Sequence, residues 1–140
     1  MLKLSKEAFE SIRKHGEQAF PHECCGVLLG KLNGEQRVVE EVFAIENKFD
    51  EAERYHRFLI TPDNYREAEK VARAKKVDII GFYHSHPDSP SVASKYDLDH
   101  AFPWFSYVIV SIMKNKYHDI HSWIMENDRS KFTEENFTIE

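Results

Sequence analysis

The chain has 140 residues, 41% of them apolar and 31% charged, with a formal net charge of −5 at pH 7. That length suits a single domain spanning residues 1–140, with apolar surface enough to fold without covalent staples. The acidic balance excludes a general nucleic-acid binder, and the longest apolar stretch, FSYVIVSIM (residues 105–113), is too short and too interrupted to span a bilayer.

The N-terminus, MLKLSKEAFESIRK, mixes charges of both signs and has no apolar core of the signal-peptide kind. Residues 5–19 read as a helix: Ser5 can cap it, and Leu4, Ala8, Phe9 and Ile12 form an apolar stripe. Pro21 breaks it. CCGVLLG (residues 24–30) reads as a buried strand, and Asn33-Gly34 signals a hairpin to a partner over residues 36–47. A polar loop (48–53) and a short strand (55–60) follow. Thr61-Pro62 marks a helix start, with helical spacing to Lys76. VDIIGFYHSH (77–86) reads as a central strand, followed by a Pro-rich loop (87–93) and a short helix (94–102). Three strands close the chain, over residues 105–113, 119–126 and 131–140. The pattern is α/β with a mixed or curved sheet, since strands and helices alternate too irregularly for a doubly wound parallel fold.

The only cysteines, Cys24 and Cys25, are neighbours, so there is no disulfide framework. A reducing, cytoplasmic setting is expected. Their place at the start of a strand beside Gly26 fits small buried residues better than a nucleophile. The remaining histidines, among them His22 and His100, read mostly as surface. The aromatic run FPWFSY (102–107) reads as core, with Trp104 or Phe105 as candidate walls of a cleft.

The stretch HSHPDSPSVASKYD (84–97) is the informative one. Strand side chains alternate, so His84 and His86 leave one face together. Asp97, in the first turn of the next helix, can fold back to the same point. Two imidazoles and a carboxylate are three protein ligands for one zinc ion, with a fourth position for water, as in a catalytic site. Such chemistry needs a base, for which Glu23 in PHECCG is the candidate. Ser94 is the candidate donor to an oxyanion. Each part has a plainer reading. Ser94 and Asp97 make a helix capping box, the histidines can end a strand, and Glu23 is an ordinary acid after a helix. The joint spacing, H-S-H-P, six residues, S-x-x-D, is more restrictive than any part.

With Glu23, His84-Ser85-His86-Pro87, Ser94 and Asp97 all in place, the chain resembles the JAMM (MPN+) metalloprotease family along essentially its whole length. The resemblance implies a cytidine-deaminase-like fold, a curved mixed β-sheet flanked by helices. It implies one Zn2+ per chain on His84, His86 and Asp97, Glu23 as general acid/base and Ser94 as oxyanion stabiliser. It further implies hydrolysis of a peptide or isopeptide bond after the C-terminal Gly-Gly of a ubiquitin-like protein. The compact bacterial members are similar to hydrolases that release cysteine from a sulfur-carrier protein, a step of cysteine biosynthesis. The rival reading is a non-catalytic scaffold of the same fold, used for protein–protein contact. A zinc deaminase is set aside, because its Cys-x-x-Cys ligand pair is absent. An exposed strand or the aromatic patch offers a surface for a homodimer.

Overall fold

The computed structural model describes residues 1–46 and 60–140. The chain starts with a short strand, β1 (Leu2–Leu4), whose Leu2 and Leu4 are fully buried. Leu4, expected on the helical stripe, belongs to this strand instead, because β1 pairs on both sides and draws it into the core. Ser5 then caps α1 (Lys6–Ala19), its hydroxyl accepting from the Ala8 N–H at 3.0 Å. The helix stops at Phe20, ahead of Pro21, and buries Ala8, Ile12 and Gly16.

β2 (Cys25–Asn33) and β3 (Gln36–Ile45) form the expected antiparallel hairpin, with Gly34 at φ +65° in the turn. The loop at 48–53 and the strand expected over 55–60 fall outside the described residues, apart from Ile60, which is not in a strand. Thr61 caps α2 (Pro62–Lys75) in a reciprocal box with Asn64, and Lys76 ends it in the left-handed conformation. β4 (Asp78–Pro87) leads through a loop into α3 (Lys95–Asp99), then β5 (Ser106–Met113) and β6 (Lys116–Met125). The last segment, expected as one strand, is two: β7 (Phe132–Glu135) and β8 (Phe137–Ile139).

The strand order is β7-β6-β5-β4-β2-β3-β1-β8, and the mixture of parallel and antiparallel pairs makes the sheet mixed. β7 and β8 lie at opposite edges of this eight-stranded sheet, yet only Asn136 separates them in sequence. The sheet must therefore curve until its edges meet, and the Leu2 N–H donates to the Asn136 carbonyl there at 3.0 Å. That is why one expected strand became two: the chain leaves one edge and joins the other.

Two apolar cores occupy the two faces. Ala8 and Ile12 of α1 pack with Leu28, Ile80, Tyr83, Val110 and Ile112. Ala68 and Ala72 of α2 pack with Val27, Leu29, Phe82 and Tyr107. Between Leu28 and Leu29 the register against β4 slips, so that Ile80 has no partner on β2 and turns to the α1 side. Beyond the slip, Phe82 faces α2 and Tyr83 faces α1. By alternation His84 and His86 share the Phe82 side, and Ser85 the Tyr83 side. Among the described residues no helix is long and apolar enough to cross a membrane.

Tyr83 explains Gly26. A Cβ at position 26 would stand 2.2 Å from the Tyr83 ring, whose hydroxyl is held by His15 Nδ1 at 2.8 Å. Gly26→Ala must push that ring off its partner. We expect it to lower unfolding stability by about 1–3 kcal/mol in urea titration.

Candidate metal centre

β4 delivers the two histidines to one place. Their Nε2 atoms are 3.1 Å apart, and both rings are buried. The loop after β4 and the start of α3 return Asp97 to the same point. Its Oδ1 lies 3.1 Å from His84 Nε2 and its Oδ2 3.2 Å from His86 Nε2. The capping box is present as well: Asp97 Oδ2 accepts from the Ser94 N–H at 2.8 Å, and Ser94 Oγ accepts from the Asp97 N–H at 3.1 Å. The two readings describe one carboxylate, aimed by the cap. Ser94 is exposed, and its hydroxyl uses a lone pair in the cap, leaving its proton to be donated.

Glu23 comes from the junction of α1 and β2. Ser85, between the two histidines but on the other face, accepts from the Cys24 N–H at 2.9 Å, and the Ser85 N–H donates to the Cys24 carbonyl at 3.1 Å. These bonds, with the Cys25–His84 pairing, hold Glu23 against the strand end. Its carboxylate and the two imidazoles bring one ligand atom each within 4.8 Å of one another. Two sets of three therefore overlap on the histidines, one with Asp97 and one with Glu23. Asp97 meets both rings, one with each carboxylate oxygen, at 3.1 and 3.2 Å.

The donor set suits a divalent cation. His86 Nδ1 lies 2.7 Å from the Pro90 carbonyl, which can only accept, so this nitrogen carries the proton and Nε2 of the neutral ring presents a lone pair. That lone pair faces an Asp97 oxygen and the second imidazole, an arrangement that is repulsive unless a proton or a cation lies between. Burial disfavours charge on both histidines. It prevails at His84, whose pKa is lowered, whereas at His86 the bonds to Asp97 and Pro90 outweigh it and the pKa is raised. At Asp97 burial is overcome by the two imidazoles and the Ser94 N–H, which hold the carboxyl well below the usual range. Burial pushes Glu23 up to about 8, with His86 opposing and Asp97 adding to the rise.

A cavity of about 460 Å³ opens beside His84 and Asp97, with Phe82, Tyr96, Phe102 and Tyr107 among its walls. Of the aromatic run, Phe102 and Tyr107 line this cavity, whereas Trp104 and Phe105 line a second, more open depression against α2. Cys24 and Cys25 are free, buried thiols; burial pushes Cys24 up to about 12 and Cys25 likewise upward, which removes them as nucleophiles at neutral pH. Sequence reading overlooked Ser85, Ser91 and the Pro90 carbonyl. Their partners lie in other strands or across a turn, and no local pattern marks them.

A curved mixed sheet with helices on its faces, and two histidines and an aspartate at one strand end, define a JAB/MPN-type protein. Comparison with known proteins agrees. The family model described as prokaryotic homologs of the JAB domain matches residues 5–126. The chain belongs to this prokaryotic JAB-domain family, of the JAMM/MPN type. It is 31% identical over 115 residues to a desampylase of Haloferax volcanii, covering 79% of this chain and 80% of that protein. A solution structure of a Desulfitobacterium hafniense protein superposes with a TM-score of 0.86 at 32% identity, covering 100% of this chain and 93% of that one. A crystal structure of a JAB1/MPN domain protein from Archaeoglobus fulgidus shares the fold, with a TM-score of 0.59 at 18% identity over 98% of this chain and 97% of that one.

The raised Glu23 pKa has a stability consequence in metal-free protein. Between the unfolded value of 4.5 and the folded value of about 8, the folded chain holds one proton more at this site, so stability falls as pH rises through that window. Glu23→Gln lacks the titration. Its stability relative to the parent should be near equal at pH 4.5 and rise to a gain on the order of 4 kcal/mol above pH 8. Urea titrations with a chelator present, compared at the two ends of the window, check it.

Proposed function

We propose that the chain is a zinc-dependent metallopeptidase of the JAMM type, with Zn2+ held by His84, His86 and Asp97. Its substrate is a ubiquitin-like protein, cut after the C-terminal Gly-Gly; a sulfur-carrier protein is the favoured one. The observation that carries the reading is the meeting of Asp97 with both imidazoles at 3.1–3.2 Å, with the Glu23 carboxylate buried beside them. Kinship to a desampylase supports a hydrolase. The free cysteines fit a reducing, cytoplasmic setting.

Zinc in this site supplies Lewis-acid polarisation of a carbonyl oxygen and makes water acidic enough to react near neutral pH. The protein residues do the rest. Glu23 takes the proton from the attacking water as its oxygen adds to the carbonyl carbon of the last Gly. A pKa raised towards neutrality suits a group that must both accept and return a proton. Ser94 donates its hydroxyl proton towards the oxyanion. The carbon–nitrogen bond then breaks, and Glu23 delivers its proton to the leaving amine. The cavity beside His84 and Asp97, with its aromatic walls, takes the extended tail. β2 and β4 are paired on both sides, so the strands carrying the site offer no open edge for the tail.

The test is cleavage of a ubiquitin-like protein extended by a few residues beyond its Gly-Gly, followed by mass spectrometry. Zinc-loaded parent should release the extension. Glu23→Gln should keep its zinc and lose at least about 100-fold in turnover. Full activity in that variant would remove Glu23 from the mechanism. No cleavage of any such substrate by zinc-loaded parent would favour the scaffold reading.

A further inference from the structure

A cluster on β6 looks at first like a second reactive centre. Ser91, 1% exposed, places its hydroxyl 2.6 Å from Asp119 Oδ1 and 2.5 Å from His121 Nδ1. Its carbonyl accepts from Trp123 Nε1 at 3.0 Å. Asp119, His121 and Trp123 alternate along β6 and so share a face. Proton counting decides what the cluster is. The hydroxyl has one proton, and the carboxylate can only accept, so Ser91 donates to Asp119 and His121 Nδ1–H donates to the Ser91 oxygen. A nucleophilic serine gives its proton to an imidazole that an acid orients. Here the imidazole is a donor, the acid takes the serine proton, and the serine is buried. The cluster holds Ser91 instead of activating it.

What it holds matters because Ser91 follows Pro90, whose carbonyl fixes His86 Nδ1 at 2.7 Å. The other side of the loop is pinned as well. Ser111 Oγ donates to the Ser89 carbonyl at 2.6 Å, and the Asp88 N–H donates to the Ile112 carbonyl at 2.7 Å. The Pro90 carbonyl is thus fixed from both flanks, with three of its anchors on one face of a strand that supplies nothing else to the metal centre. Partners of this kind set the tautomer and plane of a ligating histidine, and their loss weakens metal binding.

We propose that Ser91, held by Asp119, His121 and Trp123, is a positioning residue that fixes the Pro90 carbonyl and, through it, the orientation of His86 towards its metal. The proposal rests on the zinc reading above.

The test measures zinc affinity of the full chain by competition with a chromophoric chelator, beside the melting temperature of each metal-free protein. Ser91→Ala removes the hydroxyl. Trp123→Phe removes only the N–H donor and serves if Ser91→Ala folds poorly. Ser122→Ala is the control for destabilisation alone: Ser122 is also 1% exposed, sits on the opposite face of β6, and donates to Glu135 at 2.8 Å. Ser91→Ala and Trp123→Phe should bind zinc about tenfold more weakly than the parent. Ser122→Ala should melt lower yet bind zinc as the parent does. Parent-like affinity in both Ser91→Ala and Trp123→Phe, or an equal loss in Ser122→Ala, overturns the clamp and leaves the zinc site standing. Failure of the parent itself to bind zinc overturns the underlying reading too.

Discussion

A buried carboxylate between two imidazoles ties the end of β4, the loop after it and the start of α3 to one point. Asp97 reaches His84 with one oxygen and His86 with the other, at 3.1 and 3.2 Å. Burying these groups together is costly unless each is paired. Backbone meets that condition for Asp97 and His86. The Ser94 N–H satisfies Asp97, the Pro90 carbonyl satisfies His86, and the Cys24 N–H and Ser85 hold the junction before β2 that carries Glu23. Most of the local structure around the site serves this pairing.

The same constraint accounts for features that look unrelated. The register slip at Ile80 sets which face His84 and His86 share, and so directs them to the α2 side, where Phe82 and Tyr107 wall the cavity. Gly26 leaves room for Tyr83 on the α1 side, one residue from His84. The cap of α3 aims Asp97 while it starts a helix of only five residues. A plain structural role is seen at Ser94 and Asp97, and the proposed chemical one falls on the same two residues, which is why sequence alone could not separate them.

Much of this was legible in the sequence because it is local. Strand alternation puts His84 with His86, a helix-start signal places Asp97, and Asn33-Gly34 forces the hairpin. What sequence could not supply is long-range. The split of the last segment at Asn136 depends on the sheet edges meeting, which no local pattern encodes. β1 exists because it is paired on both sides, and its three residues carry too weak a signal alone. His15 and His121, read as surface, bond to Tyr83 and Ser91 in strand β4 and the loop after it, so their roles appear only in three dimensions.

The central claim is that three side chains of this chain hold one metal ion. Elemental analysis of purified protein, with Asp97→Ala beside it, tests that most directly. The account predicts about one zinc per chain in the parent and its loss in the variant. A parent that takes up no zinc after reconstitution, or an Asp97→Ala protein that retains it fully, would contradict the account.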